Sequence, residues 1–330
     1  MHWIIRTGAV AAALGFGDAG CDDEGDCFPD NHVELVREDS GVEVTLRGVV
    51  TSDSGAAVAV GDHGTIVRRS DDAGAWSEQA SGVDVDLLAV ASPHPTSAKM
   101  LAVGAGGAIL RSLDGGESWK SIASGTSAEL DAVWMAERDG LAIAVGDGVV
   151  VRSENAGFTW SMGQVPEGVG MLRGVAGRES DVVAVGDDGV VLRSVDAGAT
   201  WVRVVSGMTD DLLAIALDSY WYPIEDERPT RFRITGADGS VRQFTEAGDW
   251  EDFGHQAAPI LAMSRDGAWS LANDDAVHHF ASGPSRLPAP TSALLAVEGS
   301  WEGGLAVGDD GAIVRMELVE LGCEKGPPTP

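Results

Sequence analysis

Basic side chains are scarce here: 22 lysines and arginines stand against 52 aspartates and glutamates, a formal net charge of -30 at pH 7. Affinity for a phosphate backbone comes mostly from Lys and Arg displacing counterions, so DNA and RNA are excluded as expected partners. Beyond the first twenty residues no run approaches the roughly eighteen apolar residues that a membrane-spanning helix needs, which excludes a transmembrane helix downstream. Only two tyrosines occur, Tyr220 and Tyr222, and aromatic residues make up 6% of the chain. Apolar residues are not lacking: at 44% of 330 residues they suffice for a sizeable core and rule out wholesale disorder despite the charge.

The N-terminus, MHWIIRTGAVAAALGFGDAGC, has Arg6, an apolar run from Gly8 to Phe16, and small residues before Cys21. That order is the order of an export signal over residues 1–20. The ending Asp18-Ala19-Gly20-Cys21 resembles a bacterial lipoprotein cleavage site, with Asp18 where leucine is usual. Two readings of Cys21 follow, a lipid-anchored protein or a secreted one with an unmodified cysteine. Either places the protein outside the bacterial cytoplasm, in the periplasm, at the outer membrane or beyond, with contact to a membrane only through the anchor.

Internal repetition dominates the rest. A phrase such as LLAV, then AVG followed by a polar turn and glycine, then an apolar run ending in Arg-Ser, then Trp, begins at Leu46, Leu87, Leu130, Leu172, Leu212, Ile260 and Leu294. The spacings are 41, 43, 42, 40, 48 and 34 residues, which suits a unit of four short strands and no helical repeat. In the second unit LLAVAS, MLAVGA, GAILRS and WKSIAS are apolar runs without helical periodicity. The expectation is all-β: a seven-bladed β-propeller over residues 33–323, after a tether at 21–32 and before a Pro-rich tail at 324–330.

RSLDGGESW (111–119), RSENAGFTW (152–160) and RSVDAGATW (193–201) resemble the Asp-box hairpin Ser-x-Asp-x-Gly-x-Thr-Trp of bacterial neuraminidases. RRSDDAGAW (68–76) and RQFTEAGDW (242–250) keep its length and its Trp. The aspartate is expected to bond turn amides rather than a ligand. Arg and Trp, eight apart, are expected to oppose each other across the hairpin, with guanidinium over indole.

The last unit lacks a fourth strand, and VELVREDSG around residues 33–41 has the spacing to supply it. If Arg315 opposes Leu35, paired residue numbers sum to 350, a sum that Cys27 and Cys323 also satisfy. A cross-strand disulfide sealing the ring is therefore expected, leaving Cys21 for the lipid.

Across its repeats the chain resembles the photosystem II stability and assembly factor family, by the pattern AVGxxGxIxRSxDGGxTW over residues 33–322. The resemblance implies a propeller that works as a binding scaffold for a partner protein, which in photosynthetic members is an unassembled membrane subunit. It implies no catalysis and no cofactor. The alternative is a carbohydrate-binding or sialidase-like propeller. Hydrolysis of that kind uses three arginines clamping a carboxylate and a Tyr-Glu pair, for which Tyr222 and Glu225 are the sole local candidates.

Two features exceed what the fold requires. The turns between second and third strands carry Asp62, Asp147, Asp187, Asp188, Asp238, Asp274, Asp275, Asp309 and Asp310, and the links between units add Asp86, Glu129, Asp210 and Asp211. In a propeller these loops open on one face, where a ring of carboxylates would attract a basic or membrane-protein segment. Asp-Gly is equally ordinary turn chemistry. No loop has EF-hand spacing, and the neighbouring His278 and His279 would point to opposite faces of a strand. The second feature is an insertion, DSYWYPIEDERPTR (218–231), where Tyr220, Trp221 and Tyr222 flanked by Arg228 and Arg231 could anchor a partner. A monomer is expected.

Overall fold

A computed structural model of the chain describes residues 30–71, 74–217, 231–245, 247–256, 258–265, 267–272, 276–279, 283–286, 293–300 and 303–321. They form seven antiparallel sheets of four strands each. Sheet 1 is built from Leu46–Thr51, Ala57–Gly61, Ile66–Arg69 and Ser77–Glu78. The first strands of sheets 2 to 6 are Leu87–Ala91, Leu130–Met135, Leu172–Arg178, Leu212–Leu217 and Ile260–Met263. Sheet 7 takes three strands from Leu294–Ser300, Gly303–Gly308 and Ala312–Leu321. Its fourth is the N-terminal strand Asp30–Asp39. Each first strand lies against the first strands of the sheets before and after, and that of sheet 7 against that of sheet 1. The sheets thus surround an axis, as in a β-propeller.

The expectation of a seven-bladed ring is corrected where the blades meet, because the apolar cores between neighbouring sheets number six among the described residues. Among the described residues none lies between sheets 5 and 6. Alternation along a strand explains this: Phe232, Ile234 and Phe244 of sheet 5 face sheet 4, which leaves Arg233, Thr235 and Gln243 for the opposite face. All three are buried, and Thr235 Oγ1 donates to the Ile260 carbonyl of sheet 6 at 3.1 Å. Among the described residues a hydrogen bond joins sheets 5 and 6 where an apolar core joins each other pair.

Second strands such as Ala57–Gly61 and Ala142–Gly146 are buried along their whole length, because a sheet packed on both faces needs an unbroken apolar run. Several end in a glycine that nothing larger could replace. A Cβ on Gly61, Gly104, Gly186 or Gly308 would lie 1.9–2.1 Å from the carbonyl oxygen of Thr45, Asp86, Met171 or Ala293.

The Asp-box hairpins are built as expected at the aspartate. Asp196 accepts from Ser194 Oγ at 2.7 Å, Thr200 N at 2.9 Å and Thr200 Oγ1 at 2.6 Å. Asp114 does the same with Ser112 and Ser118. Hydrogen bonding to Thr200 and Ser118 holds the two carboxyls at about 2. Asn155 reproduces the turn with Thr159. The expected Arg–Trp opposition needs correction. Arg68, Arg111, Arg152 and Arg193 oppose Ser77, Lys120, Ser161 and Val202, one residue beyond each Trp. A one-residue shift sends the indole to the other face, so Trp119, Trp160 and Trp201 pack on the cores shared with the preceding sheet. The arginines cross in the other direction. Arg68 Nε donates to Gly115 O at 2.8 Å and Arg152 Nε to Ala197 O at 2.9 Å, each in the Asp-box of the next sheet.

The N-terminal strand pairs with Ala312–Leu321 from Asp30↔Leu321 to Asp39↔Ala312, so paired numbers sum to 351 and not 350. Leu35 opposes Met316, and Arg315 opposes Val36. Aligning Leu35 with the Trp positions, and Trp with Arg, produced the same one-residue error. Cys21, Cys27 and Cys323 lie outside the described residues, and the observed register removes the coincidence of sums on which the disulfide rested.

Glu38 of this strand fastens sheet 7 to sheet 1. Its carboxylate accepts from Arg69 Nη1 at 2.6 and 2.7 Å and from Trp76 Nε1 at 2.7 Å, and it lies 2.9 Å from Arg315 Nε. Arg69 is 3% exposed. Glu38→Gln leaves a buried guanidinium without its main counter-charge, so urea unfolding at pH 7 is expected to show a loss of about 3–5 kcal/mol. The exposed Glu78→Gln is expected to stay within about 0.5 kcal/mol of the parent.

Candidate functional site

Every first strand carries a bulge between its first and third residues, for example Leu46/Gly48, Leu130/Ala132 and Leu172/Gly174. A bulge re-aims the residue it contains. The first residues are buried between sheets, whereas the second, Arg47, Leu88, Asp131, Arg173, Leu213, Leu261 and Leu295, belong to none of the blade-to-blade cores. They line the axis at the end where the links enter and the turns between second and third strands stand. Sheets 1, 3 and 4 contribute charge there; sheets 2, 5, 6 and 7 contribute leucine.

The charges form one coupled group. Arg47 Nε lies 2.5 Å from Asp62 Oδ1, and Arg173 Nε 2.5 Å from Asp187 Oδ1. The hydrogen bond to Asp62, with further attraction from Asp86 and Asp309, raises the Arg47 pKa. Burial, followed by the like charge of Glu129, pushes the Asp131 carboxyl above its ordinary value, while Arg173 and Arg47 pull the other way. Asp131 of sheet 3 therefore feels arginines of sheets 1 and 4, as a residue on the axis should.

Three of the turns that carry the expected acidic ring are 3-10 turns, Asp62–Gly64, Asp187–Gly189 and Asp309–Gly311. Their central residues His63, Asp188 and Asp310 have φ of 53–56°. Part of the acidity is structural: Asp86 Oδ1 accepts from His63 N at 2.9 Å, and Asp211 Oδ1 from Asp188 N at 3.1 Å. Among the residues singled out from sequence, Asp62 and Asp187 are paired with arginine, and Asp309 accepts from Thr45 Oγ1 at 3.1 Å. Asp238 accepts from Ser240 N at 2.9 Å. Asp147 and Asp188 stand exposed. Tyr220, Trp221, Tyr222 and Arg228 lie outside the described residues, as do Asp274 and Asp275. Arg231 opens the strand Arg231–Gly236, where it donates to Gln243 Oε1 at 3.3 Å and lies 3.6 Å from Glu251.

Arg47, Asp131 and Arg173 were missed by sequence reasoning, although a signal was present. Aligned on their first residues, the seven units have leucine at the second position in four cases and a charge in these three. Among the described residues no group of three or more His, Cys, Asp and Glu is arranged to hold a metal ion, and no helix is long and apolar enough to cross a membrane.

The ring of sheets and its axial mouth define a β-propeller protein. No family model matches the chain, and no curated protein matches it. Among solved structures it is similar to YCF48 bound to D1 peptide, at 16% identity and a TM-score of 0.64, over 86% of this chain and 94% of that one. Similar too are YCF48 from Cyanidioschyzon merolae (15%, TM-score 0.60, 86% and 98%) and the WD40 β-propeller domain of Doa1 (14%, TM-score 0.66, 86% and 97%). At these identities the likeness is one of fold.

The raised pKa of Asp131 has a consequence for stability. A carboxyl whose folded pKa exceeds its unfolded value stabilises the fold fully below the unfolded pKa and loses that contribution as pH rises through the folded one. Asp131→Asn is therefore expected to raise the melting temperature at pH 7. The difference should vanish near pH 3, where both proteins are uncharged at this position.

Proposed function

We propose that this chain is a non-catalytic protein-binding scaffold whose axial mouth takes a basic, partly apolar segment of a partner protein. The observation that carries this reading is the make-up of the mouth. Arg47 and Arg173 are committed to Asp62 and Asp187, so the further carboxylates Asp131, Asp147, Asp188 and Asp309 leave an excess of negative charge around the axis. Leu213, Leu261 and Leu295 place three half-buried apolar side chains together on one side of it. Charge would steer a basic segment to the mouth, and the leucines would give it something to bury. The YCF48 structure that holds a D1 peptide supports a propeller of this fold as a peptide receptor. The loop at Tyr220, Trp221, Tyr222 and Arg228 is a second contact in this reading. Panning the purified chain against a random linear peptide library is expected to enrich sequences combining Arg or Lys with Leu, Ile or Val. Their binding should weaken with salt and at least tenfold in an Asp131→Asn, Asp188→Asn, Asp309→Asn variant. Acidic winners, or binding indifferent to salt and to these substitutions, would sink the idea.

The reading includes export, with the mature protein a monomer tethered through Cys21. The charge order at residues 1–20 supports it. Mass spectrometry of protein made in a bacterial host should find the N-terminus at a lipid-modified Cys21; an unmodified Cys21 would leave a secreted protein, and a retained Met1 would remove export altogether.

A further inference from the structure

Arg68, Arg111, Arg152 and Arg193 occupy the same place on the third strands of four successive sheets. Three of them have a carboxylate. Arg68 Nη2 lies 3.2 Å from Glu117, Arg152 Nη2 2.5 Å from Glu154, and Arg193 Nε 2.8 Å from Asp181. These acids come from three different positions. Glu117 stands in the Asp-box of the following sheet, just before its hydroxyl residue. Glu154 follows the Asp-box serine of the arginine's own sheet. Asp181 stands two residues before Val183, the cross-strand partner of Arg193.

Around Arg111 the same three positions hold Phe158, Leu113 and Lys99. None can supply a carboxylate. Yet Arg111 is 8% exposed, and its Nε and Nη1 are buried without a hydrogen-bond partner. Its guanidinium carbon lies 3.3 Å from the centroid of the Phe158 ring. The ring offers a π face and no acceptor, so Nε–H and Nη1–H stay unmatched, a costly arrangement in a buried site. Phe158 and Leu113 are 55% and 49% exposed. Lys120 opposes Arg111 in register and so shares its face of the sheet, and Lys99 immediately precedes the strand that pairs with it. Two of the three lysines in a chain of charge -30 thus belong to the strands flanking Arg111 or their ends, and none of its three equivalent positions holds an acid.

We propose that this notch, on the rim where sheet 2 meets sheet 3, is a second binding site, taking a carboxylate carried beside an apolar group on a partner polypeptide. The carboxylate would stand where Glu117, Glu154 or Asp181 stands for the other arginines, and Phe158 and Leu113 would flank its apolar neighbour. Entry requires the ring of Phe158, half in solvent, to move off the guanidinium. Such a carboxylate belongs either to a C-terminal apolar residue or to an acidic side chain next to one. Burial, which pulls the Arg111 pKa down, is the penalty that a bound carboxylate would relieve. The site does not depend on the axial mouth and stands or falls without it.

The test follows the Arg111 Nε–H resonance of the ¹⁵N-labelled full chain during titration. The probes are N-acetylphenylalanine for a terminal carboxylate, N-acetylglutamate α-methylamide for a side-chain carboxylate, and N-acetylphenylalanine amide as neutral control. At least one acid is expected to give a saturable shift, with the amide at least tenfold weaker, and the stronger acid identifies the source. Leu113→Glu installs an acid where Glu154 stands beside Arg152, so it is expected to weaken acid binding at least tenfold; because Leu113 is exposed, this variant keeps the test readable where Arg111→Gln does not fold. Shifts as large with the amide, no shift with either acid, or undiminished binding by Leu113→Glu would overturn the proposal.

Discussion

The pairing of the N-terminal strand with the last, and its fastening by Glu38, is the constraint on which the rest of the molecule depends. A four-stranded sheet with Ala-Val runs buried on both faces cannot exist alone, because each face needs a neighbour to exclude water. In an open array the two end sheets would each expose such a face. Here the ends of the chain share sheet 7, and Glu38 reaches from its outermost strand to Arg69 and Trp76 of sheet 1 while lying beside Arg315 of its own sheet. Its carboxylate therefore joins two closures, strand to sheet and sheet to sheet. Losing it costs more than one ion pair, since Arg69 is buried and Glu38 accepts two hydrogen bonds from its Nη1.

Elsewhere around the ring the sheets are joined by a different device. The Asp-box turn of each of sheets 2, 3 and 4 presses a glycine onto the preceding sheet so closely that a Cβ on Gly116, Gly157 or Gly198 would lie 2.4–2.5 Å from Val58, Leu101 or Ile143. These glycines also have φ of 78–84°, so sterics and backbone conformation demand the same residue. Asp114, Asn155 and Asp196 hold the turns in shape with their serine and hydroxyl neighbours, the indole fills the core behind each, and Arg68 and Arg152 of the preceding sheets return the contact to sheets 2 and 4. The hairpin is thus an inter-sheet joint. Where it decays, in sheets 5 and 6, the apolar core between sheets is replaced by Arg233, Thr235 and Gln243.

How much of this could be read in the sequence divides along the distance over which the interactions act. All seven repeat starts coincide with the first residues of first strands, because the pattern of apolar runs and glycine turns is local and strongly periodic. The Asp-box hydrogen bonds were legible for the same reason. Register was not. Both register expectations, at Arg–Trp and at Leu35–Arg315, missed by one residue, because the hairpin loop length alone does not say which residue the turn spends without pairing. The axial residues were also hidden: Arg47, Asp131 and Arg173 look like polar interruptions of an apolar strand until a bulge, repeated in every sheet, turns that position to the axis. Nor could sequence reveal that Phe158 covers Arg111, since the two belong to different sheets.

A division of labour follows from this geometry. Arg68, Arg69, Arg152, Arg193 and Arg315 are spent on holding the ring, and several turn aspartates are spent on backbone amides. What is left after those commitments is uneven. At the axis it is carboxylate and leucine; at the rim of sheets 2 and 3 it is one buried arginine with two lysines. In a repeat protein the structural chemistry recurs from unit to unit, so the position where one unit departs from its siblings is where the fold ceases to explain the residue. Asp131 departs from the leucines of its ring, and Arg111 departs from the paired arginines of its row. Each leaves a charge in a place the fold alone would have filled with a neutral or neutralised group. A charge retained against a desolvation cost marks where an interaction beyond the folded chain would be favoured.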